Sequence, residues 1–134
     1  MQKHFKRDLK SLEKIFTFID AFCDQNQIDE SVSFTLKLVV EELFTNMVKY
    51  NDVSQHAILL ELSKQDQNLI IRLTDPDAEA FDITKTKDVK VDKHLQDRKV
   101  GGLGIHLVKK FVDQIDYEYE NRKSQITLTK HLEK

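Results

Sequence analysis

The sequence predicts an α+β two-layer sandwich, in which a mixed, mostly antiparallel sheet is covered on one face by helices. Three observations point there. Apolar residues recur at helical spacing through the first fifty positions. The period then changes to two in two pairs of runs, each pair joined by a short polar turn. One further helical run, opened by glycines, separates those pairs. Strands that follow each other through short turns pair antiparallel, and the helices between and before them must bury their stripes against one face of the sheet.

Taken in order, residues 3–7 suit a short edge strand. From Asp8 to about Gln25, the apolar positions Leu9, Leu12, Ile15, Phe16, Ile19 and Phe22 fall on one helical stripe, with Asp8 as a cap. The stretch NQIDES breaks that pattern. A second helix is expected from about Ser31 to Tyr50, striped by Val32, Leu36, Val39, Val40, Leu43, Met47 and Val48. Ile58, Leu60 and Leu62 then alternate against Leu59 and Glu61, Leu69, Ile71 and Leu73 do the same against Ile70, Arg72 and Thr74, and SKQDQN turns the chain between them. After Asp75 the pattern dissolves. Residues 84–99 hold no aromatic residue and little apolar content, and an irregular stretch of that length inside a small domain is usually functional. A helix to about Asp113 follows the glycines, with Ile105, Val108, Phe111 and Val112 on one face. Two alternating runs, Ile115-Tyr117-Tyr119 and Ile126-Leu128, close the chain around NRKS.

Residues 1–134 are long enough for one domain, and 40% hydrophobic content supplies one core. Acidic residues outnumber basic ones, 23 to 21, for a net charge of -2. No basic surplus argues for nucleic acid or an anionic membrane as a direct partner. No apolar run approaches the ~20 residues that cross a bilayer. No signal-peptide pattern follows the basic start. The single cysteine, Cys23, excludes an intramolecular disulfide and reads as a core thiol. These features lead to the expectation of a cytoplasmic protein. The five histidines have no metal-ligand spacing, and no serine- or cysteine-based nucleophile set emerges.

Three short stretches carry chemistry. The first is VGGLGIHLVKKF, where Gly101, Gly102 and Gly104 are all the glycine in the chain. Backbone without side chains lets a ligand approach closely, and the first turn of a helix offers free N–H groups and partial positive charge to an anion such as phosphate. Tight helix–sheet packing is the plainer use of the same residues. The second is EELFTNMVKYND. Glu42, Asn46 and Lys49 lie four and three residues apart, so they share a helix face, while Glu41 points about 100° away. An Asn oxygen suits Mg²⁺, a carboxylate one turn earlier suits proton abstraction, and Lys49 suits phosphate charge. A solvated face with a Glu–Lys pair is the plainer alternative. The third is Asp75, directly after an apolar strand and before the only proline, Pro76. A carboxylate there can accept a hydrogen bond from the exocyclic amine of adenine, and an Asp-Pro turn at a strand end is equally ordinary.

In order and spacing the three stretches together resemble the GHKL ATPase superfamily, which includes gyrase, Hsp90, the histidine kinases and the anti-sigma-factor serine kinases. Glu42 and Asn46 match its N-box, and NMVKY is similar to the N-x-x-K-Y form of histidine kinases. Asp75 matches the G1-box, and Gly102, Leu103 and Gly104 match the G2-box. AFDIT and the closing VDQIDYEY and ITLTKHL resemble the small anti-sigma-kinase branch. The resemblance implies the Bergerat ATP-binding fold with ATP between helices and a lid. It makes Glu42 the base, Asn46 the Mg²⁺ ligand and Asp75 the reader of adenine. It puts Gly101, Gly102, Leu103 and Gly104 at the phosphates, Lys49 against phosphate, Tyr50 near the base and Arg98 or Lys99, in the lid, near the terminal phosphate.

The chain departs from the pattern at Asp77, where the G1-box usually has glycine, and at Val100, the first G2 glycine of many relatives. Asp77 then lies beside the nucleotide as a second carboxylate. The implied activity is that of an ATP-dependent serine/threonine kinase that binds a sigma factor or similar regulator and phosphorylates a small antagonist protein, with homodimers common among relatives. A non-catalytic binding module of the same fold and the catalytic domain of a histidine kinase are the alternatives.

Overall fold

The computed structural model describes residues 1–50, 55–77 and 101–132. Strand β1 (Gln2–Phe5) leads through a 3-10 turn (Leu9–Ser11) into helix α1 (Leu12–Gln25). Helix α2 (Glu30–Tyr50), strand β2 (Ile58–Gln65) and strand β3 (Asn68–Asp75) follow. Helix α3 (Gly101–Phe111), strand β4 (Gln114–Glu120) and strand β5 (Lys123–His131) complete the order. The expected edge strand sits one residue earlier than its sequence reading and stops at Phe5. Asp8 does cap, its side chain accepting from the Lys10 N–H, but what it caps is the 3-10 turn rather than the α-helix.

Among the described residues the sheet runs β1-β2-β3-β5-β4 and every neighbouring pair is antiparallel, so the expected mixed character is not needed there. Period two decides its faces. Ile58, Leu60 and Leu62 on β2, Leu69, Ile71 and Leu73 on β3, and Ile126 and Leu128 on β5 are all buried in one cluster with the helices. Their alternates, among them Glu61, Arg72 and Thr127, form the more open face, where Arg72 Nε donates to Thr127 Oγ1 at 3.1 Å. From the helices the core receives Ile15, Phe18, Ile19, Phe22 and Cys23 of α1, Leu36, Val39, Val40, Leu43 and Phe44 of α2, and Val108 and, just past its end, Val112 from α3. Cys23 is thus the core thiol its sequence position suggests, and burial pushes its pKa up. Helix α2 lies against both α1 and α3 and forms the middle of the helical layer.

The turns explain where glycine is not spent. Helix α1 closes in a Schellman arrangement: Ile28 N–H donates to Cys23 O at 3.0 Å and Gln27 N–H to Asp24 O at 3.4 Å, with Gln27 at φ 54°. The hairpin turns place Asp66 at φ 56° and Asn121 and Arg122 at 51° and 66°. Asn and Asp tolerate this region better than most residues. Positions where glycine would relieve strain therefore hold other residues, and all three glycines sit in the first turn of α3 as helical residues. They start the helix rather than preceding it as a loop.

Candidate functional site

Helix α2 carries the first component. Glu42 and Asn46, four residues apart, are each only 8% exposed, and Asn46 Nδ2 donates to Glu42 Oε2 at 3.1 Å. The two border the buried Val39, Leu43 and Phe44, which explains why a polar pair on this stripe is drawn out of water. A solvated helix face does not describe them; of the expected polar stripe only Lys49 is exposed, and Tyr50 ends the helix. Burial raises the Glu42 pKa above the ordinary carboxylate value. The Asn46 hydrogen bond and the Lys49 charge oppose that rise, and Glu41 adds to it. A carboxylate so placed is a better proton acceptor than one in water, and perturbed carboxylates of this kind are characteristic of reaction centres. Asn46 turns its amide nitrogen to Glu42, so its oxygen is the atom left to meet a hard cation. That donor set suits Mg²⁺.

Strand β3 carries the second component. Asp75 follows Leu69, Ile71 and Leu73 at even spacing, so it faces the helical layer, and it pairs in register with Ser124 of β5. It is buried, and its Oδ1 accepts from the Asp77 N–H at 3.0 Å, which makes the local turn its sequence suggests. It also has a partner that no sequence pattern announced. Arg7, in the connection after β1, reaches it with a two-pronged contact, Nη1 to Oδ2 at 2.9 Å and Nη2 to Oδ1 at 2.5 Å. The same guanidinium donates through Nε to His56 O at 3.2 Å and through Nη1 to Met47 O at 3.3 Å. Both side chains of the pair are nearly sealed from solvent, at 3% for Arg7 and 2% for Asp75.

Asp77, in the position of the usual G1 glycine, has its carboxylate against a second arginine. Arg122 Nε donates to Asp77 Oδ1 at 2.8 Å from the β4–β5 turn. That contact offsets the negative charge that Asp77 brings where the pattern usually has glycine. Arg7 and Arg122 are the residues that sequence reasoning missed. Their partners lie 68 and 45 positions away, and no local spacing encodes either pairing.

Helix α3 carries the third component. The N–H groups that an α-helix cannot satisfy in its first turn fall at Gly101, Gly102 and Leu103, with Gly104 next. Behind them, Val108 is fully buried, and Leu107 and Phe111 pack against the core, which anchors that start against α2. Arg98, Lys99 and the stretch 84–99 lie outside the described residues.

A buried carboxylate–amide pair on one helix, an inward-facing acid at the end of the central strand and a glycine-bearing helix start define a nucleotide-binding α+β ATPase domain. The chain matches the histidine kinase-like ATPase domain over residues 5–130 and belongs to that family. Membership carries with it an ATP-binding site. Among curated proteins it is similar to the serine/threonine-protein kinase BtrW of Bordetella bronchiseptica. The two are 29% identical over 100 residues, which make up 73% of this chain and 70% of that protein. In fold it is similar to the SiaB–SiaC complex of Pseudomonas aeruginosa, with a TM-score of 0.67 and 11% identity over 97% of this chain and 87% of the other. It is also similar to the histidine kinase AdeS of Acinetobacter baumannii, with a TM-score of 0.56 and 16% identity over 100% of this chain and 68% of the other. Among the described residues no helix is long and apolar enough to cross a membrane.

Proposed function

We propose that residues 1–134 form one ATP-dependent serine/threonine protein kinase domain that works in a partner switch. The observation that carries this reading is the buried Glu42–Asn46 pair, whose carboxylate has a raised pKa and whose amide oxygen is left for a cation. The likeness to a serine/threonine kinase supports the choice of reaction, and a fold neighbour solved in complex with a second protein supports a protein substrate.

In this reading ATP lies between α2 and the start of α3. Asp75 reads the adenine amine, with Tyr50 near the base. Gly101, Gly102, Leu103 and Gly104 receive the phosphates, assisted by Lys49 and by Arg98 from the segment before α3. Mg²⁺, held by Asn46, would neutralise phosphate charge. Glu42 takes the proton from a partner's serine or threonine hydroxyl. The hydroxyl oxygen bonds to the γ-phosphorus, the bond to the β-phosphate oxygen breaks, and ADP leaves. Positioning and electrostatics supply most of the acceleration, as is general for this chemistry. The partners in this reading are a sigma factor or similar regulator and a small antagonist that accepts the phosphate.

The test is a calorimetric titration with Mg²⁺·ATP, followed by phosphotransfer to a co-purified partner. Binding that weakens without Mg²⁺, together with phosphoserine or phosphothreonine on the partner, is the expected result. No heat and no thermal shift with millimolar ATP or ADP, in the wild-type chain and in the Arg7 variants described below, would end the kinase reading.

A further inference from the structure

We propose that Arg7 is a specificity-determining latch on the base-reading carboxylate, holding Asp75 away from a purine until the latch opens. The inference rests on the nucleotide reading of the cleft and concerns a residue outside all three motif stretches. A carboxylate presents about four lone-pair sites. Three of those on Asp75 are taken: two by the Arg7 fork, at 2.9 and 2.5 Å, and one by the Asp77 N–H at 3.0 Å. That side chain is only 2% exposed, so the remaining site is closed to solvent as well. An exocyclic amine can therefore bond Asp75 only by displacing the guanidinium.

The latch is well made on its own side. Arg7 spends further donors on the carbonyl oxygens of Met47, near the end of α2, and of His56, just before β2. It thus ties α2, the approach to β2 and the end of β3 together around the acid. Met47 is the residue after Asn46, so a move of Arg7 is felt beside the Glu42–Asn46 pair. Release has a mechanical route, because Arg7 sits between β1 and the 3-10 turn, in a connection of three residues on the edge of the sheet.

Two consequences follow. A nucleotide bound with the latch closed gains nothing from the acid, so the advantage Asp75 gives to ATP is scaled down by the fraction of molecules in which the latch is open. While closed, the latch also takes the acid away as a discriminator, because a carboxylate sealed behind the Arg7 fork does not meet the group at position 6 of a purine. The base preference of this chain is then governed by Arg7 rather than by Asp75 alone.

The experiment compares the binding of ATP and inosine triphosphate to the wild-type chain, Arg7→Met and Arg7→Lys. Circular dichroism and melting curves check folding, since Arg7→Met leaves a buried carboxylate without its partner. Arg7→Lys keeps the charge but not the fork, which protects the test if the methionine variant unfolds. The expected result is ATP affinity roughly tenfold higher or more in Arg7→Met, with a smaller gain in Arg7→Lys. The preference for ATP over inosine triphosphate should be larger in the variants than in the wild type. A purely structural arginine would not alter base preference. If folded variants bind ATP no tighter than wild type and show no new preference, the latch is overturned while the nucleotide site stands. If no form of the chain binds either nucleotide at millimolar concentration, the site reading falls and takes the latch with it.

Discussion

Replacing Glu42 with glutamine should make the domain more stable and catalytically inert at once. The side chain is 8% exposed and its pKa is raised chiefly by burial, so its charged form is better accommodated in the unfolded chain than in the folded one. An effective desolvation penalty of several kcal/mol for a buried ion opposes the benefit of its charge-assisted bond from Asn46, which is stronger than a neutral one by about 1 kcal/mol. The raised pKa says that desolvation wins. The glutamine amide keeps an oxygen for Asn46 Nδ2 and discards the charge. A net gain of about 1 kcal/mol is expected at pH 7, or about 3–5 °C in melting temperature for a chain of this size.

The pH dependence has a definite sign. An acid whose folded pKa lies above its unfolded value opposes folding at pH above that window, and ceases to do so once pH drops below the unfolded value. The melting difference between E42Q and wild type should therefore be largest at neutral pH and shrink as pH falls into the ordinary glutamate range. Phosphotransfer should fall about 10²–10⁴-fold, as for the loss of a general base, while Mg²⁺·ATP still binds. Wild-type activity should decline on acidification through a pKa higher than that of a free glutamate. Melting curves across pH, with calorimetry and a labelled-phosphate transfer assay, read all of this. A less stable E42Q, or one that still transfers phosphate at the wild-type rate, would refute the reasoning.

Three further outcomes are expected. Because Gly102 and Gly104 are helical, replacing either with Ala should leave stability unchanged or raise it by up to about 1 kcal/mol, yet weaken nucleotide binding if the phosphates approach that backbone; thermal shift with and without ATP separates the two effects. Gln27→Gly, at φ 54°, should raise stability by about 0.5–1 kcal/mol in urea titration without altering nucleotide affinity. Phe44→Ala, at a fully buried position beside the Glu42–Asn46 pair, should cost about 3–5 kcal/mol, a large share of the stability of a small domain, visible as a lowered urea midpoint.

How much of this was legible beforehand differs from element to element. The strand readings of Ile58 to Leu62 and Leu69 to Leu73 match the buried faces because period two leaves no choice once one face must be dry. The α2 stripe was legible for Leu36, Val39, Val40 and Leu43 but not for Phe44, which is fully buried. Phe34 and Leu38 on the same helix are exposed instead, so apolar character alone does not separate core from surface where a helix is apolar on more than one side. The four-residue step from Glu42 to Asn46 encoded a shared face, since helix geometry makes those neighbours in any context. It did not encode burial, which comes from the sheet and helices packed around α2.

The chain by itself therefore determined the periods, the order of the elements, the polar pair on α2 and the place of Asp75 at the end of an apolar strand, because each is a matter of local geometry over a few residues. Only the tertiary structure decided what Asp75 and Asp77 meet there. Arg7 and Arg122 arrive across the sheet from strand connections remote in sequence, and their flexible side chains could reach many partners until the packing of β1 beside β2 and of β4 beside β5 selected one each. Charge pairing over such separations is a property of the assembled fold, and no periodicity along the chain records it.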